Sequence, residues 1–255
     1  VSSGTAVILG SGTSNGVPMI GVRYSDEFLG NPKNHRTRSS CLLMGPSGNL
    51  QIDCAPEMRL QLTREQVYDL EAVLITHTHA DHVMGMDDLR SICMVGGKSV
   101  PVYAIPRYQE DIRRIFPYAF IDTPPGIWVP RFDLRDVPEV IHVGGLEVRT
   151  FEVMHGKHPV TGIRVNDFAF ITDVNHIPPN SIEMLWGLDT LVIDCVRHEP
   201  HPNHYHFEAT MAVIEELRPK KAYLTHLSHE FDHNSYEEGL PDNVRLAYDG
   251  LRLEF

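Results

Sequence analysis

The chain has 255 residues, a formal net charge of −12, 42% hydrophobic residues and 22% charged residues. That composition is ordinary for a globular protein with a sizeable core, and its negative field disfavours nucleic acid, whose binding rests on Lys and Arg neutralising phosphates. No apolar run approaches the roughly 18 residues of a membrane-spanning helix, the first residues lack the basic start of a signal peptide, and Cys41, Cys54, Cys93 and Cys195 form no CxxC pair, so the expectation is a cytoplasmic protein without a disulfide scaffold or zinc ribbon.

Short apolar runs rich in β-branched residues, each ending in polar or turn residues, predict strands. They are TAVILG (5–10), NLQIDC (49–54), AVLITH (72–77), VPVYAI (100–105), LEVRTFEV (146–153), FAFITD (168–173), TLVIDC (190–195) and KAYLTH (221–226). Helices are predicted over 57–69, 107–116 and 207–218, where apolar positions are spaced and Gly and Pro are absent; Pro219 closes the last. The Pro-rich stretch 117–138 reads as a loop or insertion. Strands alternating with helices imply an α/β protein with a largely buried sheet, and no composition shift divides residues 1–255 into more than one domain.

The histidines, fifteen in all, gather at the ends of predicted strands. AVLITH runs into His77, His79, Asp81 and His82; LEVRTFEVM ends in His155; FAFITD ends in Asp173; LVIDC is followed by His198, His201, His204 and His206; KAYLTH ends in His226, with His229 close behind. Loops at strand ends are where α/β folds build their sites. Imidazole and carboxylate donors suit zinc, manganese or iron. In H-x-H two ring nitrogens can project to one side of a loop, whereas the adjacent Asp81 and His82 point differently and could serve a second ion. His35, His142, His176 and His233 stand alone and read as surface or hydrogen-bonded core histidines.

HTHADH at 77–82 matches the HxHxDH motif of the metallo-β-lactamase superfamily, and His155, Asp173 and His226 follow in that family's order. GSGTSNGVP (10–18) and IDCAP (52–56) match flanking elements, so the chain resembles the superfamily over nearly its whole length. The resemblance implies an αββα sandwich with two divalent metal ions, Zn or Mn with Fe also allowed, at one edge of the sheets. It implies that His77, His79 and His155 hold one ion, that Asp81, His82 and His226 hold the other, and that Asp173 bridges them. Asp53 resembles the aspartate that orients a ligand from behind.

Within the superfamily, GTSNGVP, RSSCLL (38–43), GMDDLR (85–90) and LTHLSHEFD (224–232) resemble the branch containing the cyclic-phosphate phosphodiesterase of the carbon–phosphorus lyase pathway and the tRNA 3′-processing ribonuclease. That branch carries a catalytic histidine before the last helix. Alignment on HFEATMAV places the role on His206, with His204 as the alternative two residues earlier. Relatives often carry a structural zinc on cysteines just after GVP; here those positions are Val22, Tyr24 and Glu27, so that site is expected to be absent. His229, which resembles its fourth ligand, is then left either near substrate or with a structural role.

The reading is a metal-dependent phosphodiesterase. The two ions would supply a hydroxide for attack on a small phosphodiester, cyclic ones included, with Asp81 in the machinery and His206 giving the proton to the leaving oxygen. The alternatives are a thioester or lactone hydrolase of the glyoxalase II type and a non-catalytic metal-binding protein on the same fold. Arg38, Arg90, Arg164 and Arg197 are candidate anchors for the substrate's charge. The expected partner is that small phosphodiester, with no membrane and no nucleic acid, and a homodimer is left open.

Overall fold

The computed structural model describes residues 3–124 and 126–255. Two seven-stranded mixed sheets face each other. The first has the order β14 (Leu251–Glu254), β1 (Thr5–Gly10), β2 (Ser40–Met44), β3 (Asn49–Ile52), β4 (Ala72–Leu74), β5 (Val100–Tyr103), β6 (Phe132–Arg135). The second has the order β13 (Val244–Leu246), β12 (Lys221–Thr225), β11 (Thr190–Asp194), β10 (Phe168–Ile171), β9 (His158–Val165), β8 (Leu146–His155), β7 (Val140–Val143). In each sheet three antiparallel pairings give way to three parallel ones.

Burial on both faces explains why the strands read as continuous apolar runs. Along β1, Ala6 and Ile8 point between the sheets while Val7 and Leu9 point outward to the helices. Phe168, Phe170, Ile163 and Val148 meet them from the second sheet. The outer face of the first sheet is covered by α2 (Met58–Arg64), α4 (Leu89–Gly96) and α5 (Pro106–Ile115), which bury Met58, Leu62, Leu89, Cys93, Tyr108 and Ile112. α7 (Phe207–Leu217) buries Thr210, Ile214 and Leu217, spaced i, i+4, i+7, on the second sheet, and ends at Arg218 in the left-handed conformation before Pro219. The short α1 (Asp26–Gly30), α3 (Ala80–Val83), α6 (Pro179–Ile182) and α8 (His233–Glu237) complete the set. This is the metallo-β-lactamase fold, an αββα sandwich.

Two sequence expectations change. The Pro-rich stretch is not only loop: it contains a 3₁₀ turn at Pro117–Phe120 and the edge strand β6, paired in parallel to β5. Pro125 in that stretch lies outside the described residues. The helix expected over 57–69 spans only Met58–Arg64, since Gln66 takes a positive φ and breaks it.

The parallel strands β3 and β4 of one sheet and β10, β11 and β12 of the other deliver their C-terminal ends to one rim, the usual place for an α/β site. Gly85 helps to shape that rim. Its N–H donates to Cys54 O (2.9 Å), and an added Cβ would sit 2.0 Å from Ala55 O. Only glycine lets the chain after HTHADH lie this close to the end of β3.

Candidate metal centre

Two four-residue sets have ligand atoms within 4.8 Å of one another: His77, His79, His155 and Asp173, and Asp81, His82, Asp173 and His226. Asp173 is common to both. The segment after β4, which runs through His77 and His79 into α3 with Asp81 and His82, carries four of these residues, and the ends of β8, β10 and β12 supply His155, Asp173 and His226. Asp173 and His226 have positive φ (52° and 58°), as does Asp53 (60°). Such backbone is costly for non-glycine residues and gathers at functional sites.

The outer partners are specific. Asp53 accepts hydrogen bonds from Thr76 N–H (2.8 Å) and Thr76 Oγ1 (2.7 Å), and its Oδ2 lies 2.7 Å from His82 Nδ1. That leaves His82 Nε2 facing Asp81 Oδ2 and Asp173 Oδ1, each at 3.2 Å. His155 Nδ1 donates to the backbone carbonyl of Asn203 at 2.7 Å. Gly156 (φ 61°) permits the approach of that loop, since a Cβ there would lie 2.5 Å from Asn203 Oδ1.

Burial sets the electrostatics. It pushes the pKa of His77 well down and that of His155 down to about 4, so both rings keep a lone pair at neutral pH. Burial acts the same way on His82, but Asp173, Asp81 and Asp53 outweigh it and hold its pKa well above the usual value. Burial disfavours a charged Asp173, yet the rings of His226, His82 and His77 keep its pKa well below the carboxylate range.

The donors fit cations. Asp81 Oδ2, His82 Nε2 and His226 Nδ1 are buried without a hydrogen-bond partner, a state that costs about 1–3 kcal/mol per group when nothing else satisfies it. His77 Nε2 and His79 Nδ1 approach to 2.9 Å. Atoms so converged, all nitrogen or carboxylate oxygen, match the donor set of divalent zinc, manganese or iron.

The structure brings all seven expected ligands together. It does not bring His206 there. His206 is the N-cap of α7; its carbonyl accepts from Thr210 N–H at 2.9 Å, and its ring has no partner in the cluster among the described residues. The histidine at the cluster is His204: the helix begins at Phe207 as expected, but His206 is spent as its N-cap, and the ring two residues earlier is the one held beside Asp194 and Asp173. His204 Nδ1 lies 2.9 Å from Asp194 Oδ2 and Nε2 lies 4.0 Å from Asp173 Oδ2. Its ring stacks on His226 (centroids 5.0 Å, 15°) and meets His155 edge-on (4.4 Å). Although burial opposes it, Asp194 raises the His204 pKa to about 9.

Asp194, Thr76 and Asn203 were not singled out from the sequence. Asp194 had a visible signal, an acid closing the apolar run TLVID. Thr76 and the Asn203 carbonyl had none.

The arginines fare unevenly. Arg90 pairs with Asp87 on the surface, and Arg164 donates to the carbonyls of Asn166, Met184 and Trp186. Arg38 pairs with Glu57 at 3.1 Å. Arg197 lines a cavity of about 240 Å³ beside the cluster, with Ser14, Asn15, His201, His204 and His229. Val22, Tyr24 and Glu27 offer no thiolates; of the three, Tyr24 stacks on Phe28 (4.8 Å), meets His229 edge-on (6.2 Å), and its hydroxyl accepts from Met19 N–H at 2.8 Å. All four cysteines are free and buried. Among the described residues, no helix is long and apolar enough to cross a membrane.

A fold of this layering with this His/Asp rim defines a metallo-β-lactamase-type centre. The chain belongs to that superfamily: the family profile described as the beta-lactamase superfamily domain matches residues 49–227. A solved structure described as a new diphosphatase from the PhnP family is 35% identical, with TM-score 0.90, covering 99% of this chain and 97% of that one. The Zn²⁺-bound PqqB of Methylobacterium extorquens shares the fold at 22% identity and TM-score 0.79, covering 98% and 99% of the two chains. An octanoyltransferase of Porphyromonas gingivalis is 36% identical over 251 residues, which is 96% of this chain and 50% of that protein. The chain thus spans half the length of that curated relative.

Proposed function

We propose that the protein is a metal-dependent phosphodiester hydrolase with a two-ion centre. The observation that carries this reading is the pair of ligand sets sharing Asp173, with the His204–Asp194 pair on their flank. The 35% identity to a diphosphatase across both chains supports phosphoryl chemistry. Bound divalent ions would supply Lewis-acid polarisation and a water of lowered pKa. His77, His79 and His155 would hold one ion, Asp81, His82 and His226 the other, and Asp173 both.

The chain's own groups supply the rest. Asp53 fixes the His82 ring from behind, and the Asn203 carbonyl fixes His155. Asp194 holds His204 by Nδ1, which presents Nε2 toward Asp173 and stabilises the protonated ring. His204 therefore takes the role expected of His206: it donates the Nε2 proton to the departing oxygen or stabilises charge there.

The test is hydrolysis of bis(p-nitrophenyl) phosphate by metal-reconstituted protein, with chelated protein and Asp81→Ala as controls. Metal-dependent turnover, lost in both controls, is expected. A fully metallated protein that leaves the diester intact and cleaves thioesters would overturn the reading. The name of the octanoyltransferase relative favours such an acyl substrate, but the cavity beside the cluster is lined largely by polar groups rather than by a tunnel for an eight-carbon chain.

A further inference from the structure

The stretch RSSCLL (38–43) marks the branch of the family that this chain resembles, yet the chemistry described so far uses neither of its hydroxyls. Both serines are buried, Ser39 just before β2 and Ser40 as its first residue. Burying a hydroxyl is costly unless it is hydrogen-bonded, so each of the two protons needs an acceptor.

Ser40 Oγ donates to the carbonyl of Asp53 at 2.8 Å, with that of Ile52 at 3.1 Å. Its proton stays with the backbone of the first sheet. Ser39 reaches the other sheet. Its Oγ lies 3.2 Å from Thr172 Oγ1, just past β10, and Thr172 Oγ1 donates to Asp173 Oδ1 at 2.7 Å. An ionised carboxylate only accepts, and a hydroxyl has one proton. Thr172 therefore gives its proton to Asp173, and Ser39 gives its own to Thr172. Donation runs one way, from the first sheet to the shared aspartate of the second, and each bond polarises the next. All three side chains are buried.

The relay ends on one carboxylate oxygen. Oδ1 also faces His82 Nε2 at 3.2 Å and His226 Nδ1 at 3.4 Å, whereas Oδ2 faces His77 Nε2 at 3.7 Å and His204 Nε2 at 4.0 Å. The Thr172 hydroxyl fixes the rotation of the carboxylate and takes up one acceptor position of the oxygen on the side of His82 and His226. We propose that Ser39 and Thr172 are positioning residues for the two-ion centre, setting the orientation of Asp173 Oδ1 and with it the affinity for the ion held by Asp81, His82 and His226. The proposal rests on the two-ion reading of the cluster and is independent of the substrate. Thr172 acts on the ligand directly; Ser39 acts through Thr172 and ties the shared ligand to the opposite sheet.

Zinc titration of the metal-stripped protein against a chromophoric chelator tests it, with ring resonances of His79 and His226 reporting which ligand set is filled. Thr172→Val keeps the branched shape and loses the hydroxyl. In that variant the ion at Asp81, His82 and His226 is expected to bind about 10- to 100-fold more weakly, and the other ion within about threefold of wild type. Ser39→Ala leaves Thr172 its proton and its acceptor, so a smaller loss at the same set is expected. Thr172→Ser keeps the donor and is expected to bind both ions within about threefold of wild type. A role in packing alone gives the reverse order, because serine removes a methyl group that valine keeps. Unchanged zinc binding in Thr172→Val overturns the proposal, as does equal weakening of both ions or a Thr172→Ser variant no better than Thr172→Val. A wild type that takes up a single ion refutes the two-ion centre separately. In that case tighter binding of the ion by Thr172→Ser than by Thr172→Val supports the relay, and equal binding refutes it.

Discussion

The two halves of the molecule repeat one pairing scheme and put it to different uses. Asp53 follows β3 and Asp173 follows β10, the strands at which each sheet changes from antiparallel to parallel pairing, and both residues sit at positive φ. Their surroundings differ. Asp53 meets Thr76 and the Nδ1 side of His82, and burial raises its pKa. Asp173 meets ring nitrogens of His77, His82 and His226 at 3.7, 3.2 and 3.4 Å. One backbone position therefore yields a buried support in the first half and a shared anionic centre in the second. What decides is the set of donors the neighbouring strand ends bring.

The largest effect should come from breaking the shared position. Asp173→Ala is expected to lose both ions and to reduce turnover to that of chelated protein, whereas Asp53→Ala should keep the ligands and weaken metal affinity about 10- to 100-fold. Metal content by mass spectrometry and a competition titration would check this. Retention of two ions in Asp173→Ala would mean that the halves are independent sites.

His204→Ala should lower kcat by about 10²–10⁴ with metal content intact, and His206→Ala should stay within about twofold of wild type. Equal losses in the two would return the role to the helix cap. Asp194→Asn should act like a milder His204→Ala, lowering kcat and shifting the alkaline limb of the kcat profile to lower pH, since Asp194 is the partner that raises the His204 pKa. Metal loss in Asp194→Asn would instead make Asp194 the counterpart of Asp53.

The smallest effect is on stability. Burial, with Lys33 and Arg36 nearby, lowers the His233 pKa to about 4, and the ring is 1% exposed. The unfolded chain, with an ordinary histidine near 6.5, binds the proton first, so stability is fully present above that value and falls as pH drops toward 4. Between pH 7 and 4.5 the His233 contribution is roughly 2 kcal/mol. Denaturant midpoints of wild type and His233→Leu at the two pH values should show a shallower decline in the variant.

How much was legible follows from how far apart the partners lie in the chain. HTHADH announces itself because one short loop carries four donors, and periodicity marks β1, β10 and α7 because both faces of a sheet and one face of a helix must be apolar. His155, Asp173 and His226 are single polar residues closing apolar runs. Their order suggested a shared site, and only the convergence of β8, β10 and β12 puts their atoms within reach. The edge strand β6 was hidden because its four residues, FDLR, are short and half polar and lie between prolines at 130 and 138.

The sequence by itself determined the donor types, the loop that gathers four of them and the α/β layering, because these depend on residue identity and local period. The tertiary structure put the ring of His204, not that of His206, at the cluster, with Asp194 behind it. A slip of two residues leaves composition and local propensity almost unchanged. It matters only when a helix cap fixes where the loop ends and a buried carboxylate on another strand selects which ring faces in.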